Sequence, residues 1–136
     1  MHLRGVVRLP EGTAHALDGP DFPIPVMAKT GTMSDFRDAL FLGSTYGPEG
    51  IRVAVRIGFD DNCALGEKET GQRAALPIFR EIMLRGYQDR LQGLVPRFPR
   101  EIEERIDEYL TMEAELDSDR DEPRAEISSA LRRRSR

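Results

Sequence analysis

The chain has 136 residues, enough for one small domain. Hydrophobic residues make up 39% and charged residues 32%, and the net charge is −4. A mixed, mildly acidic chain gives no general case for nucleic-acid binding, and its single cysteine, Cys63, excludes an intrachain disulfide and a multi-cysteine zinc site. The first residues are too few and too polar for a signal peptide, and no window approaches the roughly 20 apolar residues of a membrane span. The expectation is a chain with no export signal or membrane anchor of its own.

Residues 1–18 read as a short helical stretch broken by Pro10, with Leu3, Val6, Val7 and Leu9 as a weak apolar face. Thr13, just before Ala14-His15-Ala16-Leu17, is placed to cap a second short turn. Three prolines and a glycine in residues 18–25 exclude helix and central strand, so this window is a loop. Residues 26–32 are short, apolar at first and bounded by turn residues, which predicts a strand. Met33-Ser34-Asp35 reads as a turn.

Residues 38–46 are a second strand candidate, closed by the strong turn signal Gly47-Pro48-Glu49-Gly50. Residues 51–59 alternate most clearly, with Ile51, Val53, Val55, Ile57 and Phe59 on one face. Strands joined by so short a turn predict an antiparallel hairpin.

After a polar loop, residues 72–88 predict an amphipathic helix with the stripe Ala75, Ile78, Phe79, Ile82 and Met83. Pro77 confines the start of its regular part to about residue 75 or 76. The apolar residues thin out beyond residue 88, which puts the end of the core there. Residues 100–116 show a second helical pattern with Ile102, Ile106, Tyr109 and Leu110 on one side. From residue 117 the composition suggests disorder, ending in an Arg-rich tail best read as solvated. The fold class expected is α+β: three antiparallel strands, a C-terminal amphipathic helix and a charged helical tail.

Lys29-Thr30-Gly31-Thr32 is the sharpest motif. A K-T-G tripeptide alone is common, but here it sits on a predicted strand after a proline-rich loop. K-T-G accompanies S-x-x-K and an S-D-N type motif in serine penicillin-recognising enzymes. Val26-Met27-Ala28 before it, Asp38-Ala39-Leu40-Phe41-Leu42-Gly43, Ile57-Gly58-Phe59-Asp60-Asp61-Asn62 and Glu69-Thr70-Gly71-Gln72-Arg73-Ala74-Ala75-Leu76-Pro77-Ile78-Phe79 follow in an ordered series. Together with Gly5-Val6-Val7 and Glu11-Gly12-Thr13-Ala14, this series closely resembles the end of the transpeptidase domain of class A penicillin-binding proteins. The resemblance covers residues 1–90. It implies that these form the C-terminal portion of a penicillin-binding transpeptidase domain. Residues 91–136, which the resemblance does not cover, read from composition and pattern as a charged helix and a disordered tail, with at most a frayed helical turn at the start of that tail.

The resemblance also implies roles. The full enzymes cross-link peptidoglycan stem peptides through an acyl-serine intermediate, and β-lactams trap that serine. Lys29 would draw in an anionic C-terminal D-alanine, one or both of Thr30 and Thr32 would hydrogen-bond its carboxylate, and Gly31 would let an extended peptide approach. The backbone N–H of Thr32 would be one of two oxyanion-hole donors, a contribution of about 3 kcal/mol to lowering the barrier. Family members work at the outer, periplasmic face of the cytoplasmic membrane.

The catalytic nucleophile is missing from this chain. No serine has a lysine three residues later, and no S-x-N motif occurs. Acylation therefore requires an upstream polypeptide carrying both motifs. No cofactor and no metal are implied. Asp60, Asp61, Asn62, Glu67 and Glu69 lack the EF-hand pattern and read as a solvated turn, and His2 and His15 have no partner at ligand spacing. The alternative reading is a non-catalytic remnant acting as an interaction module through residues 100–136.

Overall fold

The computed structural model describes residues 3–32, 36–66, 69–89, 91 and 93–121, with the backbone alone for residue 32 and for 117–121. The sequence reading of residues 33–35 as a turn lies outside the described residues, as do Glu67, Lys68, His2 and the Arg-rich tail. Two compact units are present, Met1–Pro99 and Arg100–Arg136.

The first unit begins with a one-turn helix, α1 (Gly5–Arg8), and a 3-10 turn, His15–Leu17. Thr13 does not cap that turn, which has no side-chain cap at all. The Thr13 hydroxyl lies instead 2.8 Å from the Thr30 hydroxyl, a tertiary bond that sequence position alone does not reveal.

Three strands follow: β1 (Met27–Thr32), β2 (Asp38–Ser44) and β3 (Arg52–Gly58). They form one antiparallel sheet in the order β1-β2-β3. Lys29 is opposite Leu42, Gly31 is opposite Leu40, and Phe41 is opposite Val55 on its other side. Strand alternation sorts the side chains into two faces. The inner face carries Val26, Ala28, Ala39, Phe41 and Val55, all buried. The outer face carries Met27, Lys29, Leu42, Arg52 and Ala54, none of which is buried.

The inner face packs against α1 and a long helical segment. This segment starts as a π-helical turn, Gly71–Ala75, and continues as α2 (Leu76–Gln88). Thr70 caps the turn by accepting the Arg73 N–H. Pro77 lies in the first turn of α2, where its missing N–H costs nothing. The buried stripe is Ala75, Leu76, Phe79 and Met83. Ile78 and Ile82, expected in that stripe, are 44% and 45% exposed, because the stripe that faces the sheet is narrower: Leu76, Phe79 and Met83 follow one regular helical spacing, and Ile78 and Ile82 lie to its exposed side. The Phe79 ring stacks on Phe41 with centroids 4.8 Å apart and fills the space above Gly43, where a Cβ would overlap it.

Thr45 closes the β2–β3 turn. Its buried hydroxyl accepts the Ile51 N–H at 3.0 Å and pairs with the Tyr87 hydroxyl at 3.2 Å, tying the hairpin to the end of α2. Phe59, expected on the apolar face of β3, lies past the end of that strand and is 57% exposed.

The second unit is one helix among the described residues, α3 (Arg100–Asp121). It continues through residues 117–121, the stretch in which the composition left room for no more than a frayed helical turn before the tail. Ile106 is buried and Ile102 and Leu110 are half-buried on one side, as the spacing predicts, whereas Tyr109 is exposed.

Candidate functional site

Everything distinctive about this molecule converges on β1. It is an edge strand, paired with β2 on one side only. Two bonds fix which backbone groups look outward. The Ala28 N–H donates to Leu3 O at 3.1 Å, and the Arg4 guanidinium donates to Val26 O at 2.7 Å. Both bonds lie on the side of β1 away from β2. Backbone groups of an extended strand alternate in direction, so Thr30 and Thr32 also point their N–H and C=O groups outward. Lys29 and Gly31 point theirs toward β2.

The outer edge is therefore divided in two. Its first half is satisfied by residues 3 and 4 of the same chain. Its second half presents the Thr30 and Thr32 N–H groups, which meet no backbone partner among the described residues. Lys29 is exposed and its ammonium donates to Thr30 O at 2.6 Å. Among the described residues it forms no ion pair with a carboxylate. The charge stands ready at the strand edge, held by a neutral carbonyl.

The four motif residues do not share one face. Lys29 and Gly31 belong to the open outer face. The Thr30 side chain belongs to the opposite face, with its hydroxyl against Thr13. Thr32 contributes its backbone to the edge. Nothing in the fold demands glycine at position 31. Its φ is not positive, and a Cβ there would meet only the Leu40 side chain, at an ordinary 3.4 Å.

Beside Lys29 the outer face forms an open groove of about 360 Å³. Met27, Leu42 and Ala54 make its apolar surface, and Lys29 and Arg52 flank it with positive charge. Leu42 is 43% exposed at its centre.

Among the described residues no cluster of three or more potential metal ligands occurs. Asp61 accepts the Cys63 N–H at 3.1 Å. Hydrogen bonds from the Cys63 side chain and then its backbone lower the Asp61 carboxyl below its usual range, and the Asp61 carboxylate raises the Cys63 thiol above its own.

The chain is similar in sequence and fold to known proteins. The chain is 43% identical over 82 residues to Penicillin-binding protein 1A of Aquifex aeolicus, a span of 60% of this chain and 10% of that protein. It is 41% identical over 64 residues to Penicillin-binding protein 1A of Rickettsia typhi, 47% of this chain and 8% of that protein. The chain is partially homologous to class A penicillin-binding protein 1A. The crystal structure of Penicillin-binding protein 1A from Haemophilus influenzae shares its fold, with a TM-score of 0.57 over 71% of this chain and 14% of that one at 22% identity. No protein-family model matches the chain. It spans about a tenth of the length of these penicillin-binding protein 1A relatives. No helix among the described residues is long and apolar enough to cross a membrane.

Sequence reasoning singled out the motif strand but missed its supports. Leu3 and Arg4 at the outer edge, Thr13 behind Thr30 and Gly71 beneath Gly31 come from three separate segments. Only Thr70-Gly71, immediately before a strong helical pattern, carried a local signal, that of a cap.

Proposed function

We propose that residues 1–90 are the C-terminal portion of a penicillin-binding transpeptidase domain, with the partial fold of serine penicillin-recognising enzymes, and that β1 is its substrate strand. The observation that carries this reading is the outer edge of β1, where outward Thr30 and Thr32 N–H groups adjoin an exposed Lys29 that pairs with no carboxylate among the described residues. An extended peptide adds to such an edge through main-chain bonds. Lys29, a compact charge with three donors, attracts the terminal carboxylate of a peptidoglycan stem peptide or the carboxylate of a β-lactam. The bare Gly31, which the fold itself does not require, supports the same reading, since a ligand then lies flat on the strand. One or both of the Thr30 and Thr32 hydroxyls bond the carboxylate; the Thr30 hydroxyl, paired with Thr13, keeps its proton for it where Thr13 is the donor. The Thr32 N–H is one oxyanion-hole donor.

The nucleophilic serine comes from an upstream polypeptide carrying S-x-x-K and S-x-N. That polypeptide also covers the apolar outer face. The site of action is the periplasmic face of the cytoplasmic membrane. Titrating the isotopically labelled chain with an acyl-D-alanyl-D-alanine peptide tests the reading. The Thr30 and Thr32 amides shift, and Lys29→Ala abolishes the shift. Shifts confined to other strands would contradict it.

A second reading is supported by α3, where Tyr109, Met112 and Leu116 are exposed at helical spacing. It makes residues 100–136 an interaction module. Partner capture lost on deleting them, with Lys29→Ala harmless, would favour it.

A further inference from the structure

Gly71 opens the π-helical turn and presses directly on the sheet beneath it. A Cβ at this position would overlap Leu40 O and fall 2.7 Å from Gly31 O. Both are backbone oxygens, which cannot swing aside as a side chain end can. Leu40 and Gly31 are cross-strand partners. The carbonyls of two opposed residues converge on one point only when both aim into the gap between the strands. This agrees with the inward direction of Gly31 deduced from the Ala28 and Val26 bonds.

The geometry has a consequence at the outer edge. Gly31 C=O and Thr32 N–H belong to one planar trans peptide and point in opposite directions. Whatever fixes the tilt of the inward carbonyl fixes the aim of the outward N–H. We infer that Gly71 is the positioning residue for the Thr32 N–H, acting through the Gly31 carbonyl on which its bare Cα rests. The inference rests on the proposal that Thr32 N–H is an oxyanion-hole donor, and it adds the element that aims it.

The surroundings are built for this task. The turn is held at its start by the Thr70 hydroxyl on the Arg73 N–H, and at its end by Ala75 and Leu76 in the core. Only glycine allows so close a backbone approach. The turn is also π-helical, a geometry concentrated at functional sites. An ordinary α-helical start would leave Gly71 in a different register relative to Leu76.

The test follows the Thr32 amide by NMR in the labelled 136-residue chain. Gly71→Ala forces the turn off the sheet, and the Thr32 resonance shifts by several linewidths. Thr70→Val removes only the cap acceptor, so it keeps the chain folded and moves the same resonance in the same direction by less. Gly43→Ala is the control, an equally tight lesion that strikes the Phe79 ring instead. It perturbs α2 amides and spares Thr32. An unmoved Thr32 amide in folded Thr70→Val, or an equal displacement by Gly43→Ala, overturns the inference. If Gly71→Ala does not fold, Thr70→Val and Gly43→Ala decide the matter between them. These resonances report the coupling whether or not β1 binds a stem peptide, so failure of the substrate reading stays distinguishable.

Discussion

Lys29 and the three glycines 31, 43 and 71 show how differently similar residues can be constrained. Among the described residues the Lys29 ammonium makes one exposed hydrogen bond, to the adjacent Thr30 O, so Lys29→Ala leaves the thermal midpoint nearly unchanged while removing ligand response at β1. Gly31→Ala changes stability by less than about 0.5 kcal/mol, since its Cβ meets only Leu40 at contact distance. Gly43→Ala costs about 1–3 kcal/mol, because the Phe79 ring occupies the space a methyl group needs. Urea unfolding of the two glycine variants checks the contrast. Cys63 offers a test by pH. The Asp61 carboxylate holds its thiol above the ordinary range, so less thiolate is present at any pH below that point. Asp61→Asn removes the cause, lowers the thiol pKa and speeds alkylation at pH 7.5. An unchanged alkylation rate would contradict the Asp61–Cys63 contact.

The elements were legible where one face repeats. β3 and α2 carry long periodic patterns, and the strand edges fall within a residue or two of expectation. In α2 the apolar residues cover more of the helix than the sheet can bury, and periodicity alone does not say which edge of so wide a stripe faces inward: Leu76, Phe79 and Met83 do, Ile78 and Ile82 do not. The π turn before Leu76 was hidden too. Nothing local in Gly71-Gln72-Arg73-Ala74-Ala75 announces an extra residue per turn. The hairpin closure was equally hidden, since Thr45 and Tyr87 are 42 residues apart. Thr45→Val leaves the Ile51 N–H and the Tyr87 hydroxyl without this partner and costs about 1–3 kcal/mol. Tyr87→Phe costs less, because Thr45 keeps its bond to Ile51. Thermal melts of both variants order them.

At the scale of the whole molecule, the inner face of the sheet is closed by α1 and α2, while the outer face stands open around Leu42. The candidate site lies on the open side and at the adjacent edge of β1. The sequence pointed to the candidate site through one tripeptide and its context. It did not show that Leu3 and Arg4 satisfy the first half of that edge and not the second, because such a division depends on strand phase. A segment that covers the outer face also adds stability, by about 25 cal/mol for each Å² of apolar surface it buries. The most direct measurement exchanges the matching segment of the Rickettsia typhi Penicillin-binding protein 1A for that of this chain and labels the chimera with a fluorescent penicillin. The account predicts a labelled band that Lys29→Ala abolishes. A folded chimera that stays unlabelled, or one that labels equally well with Lys29→Ala, would contradict it.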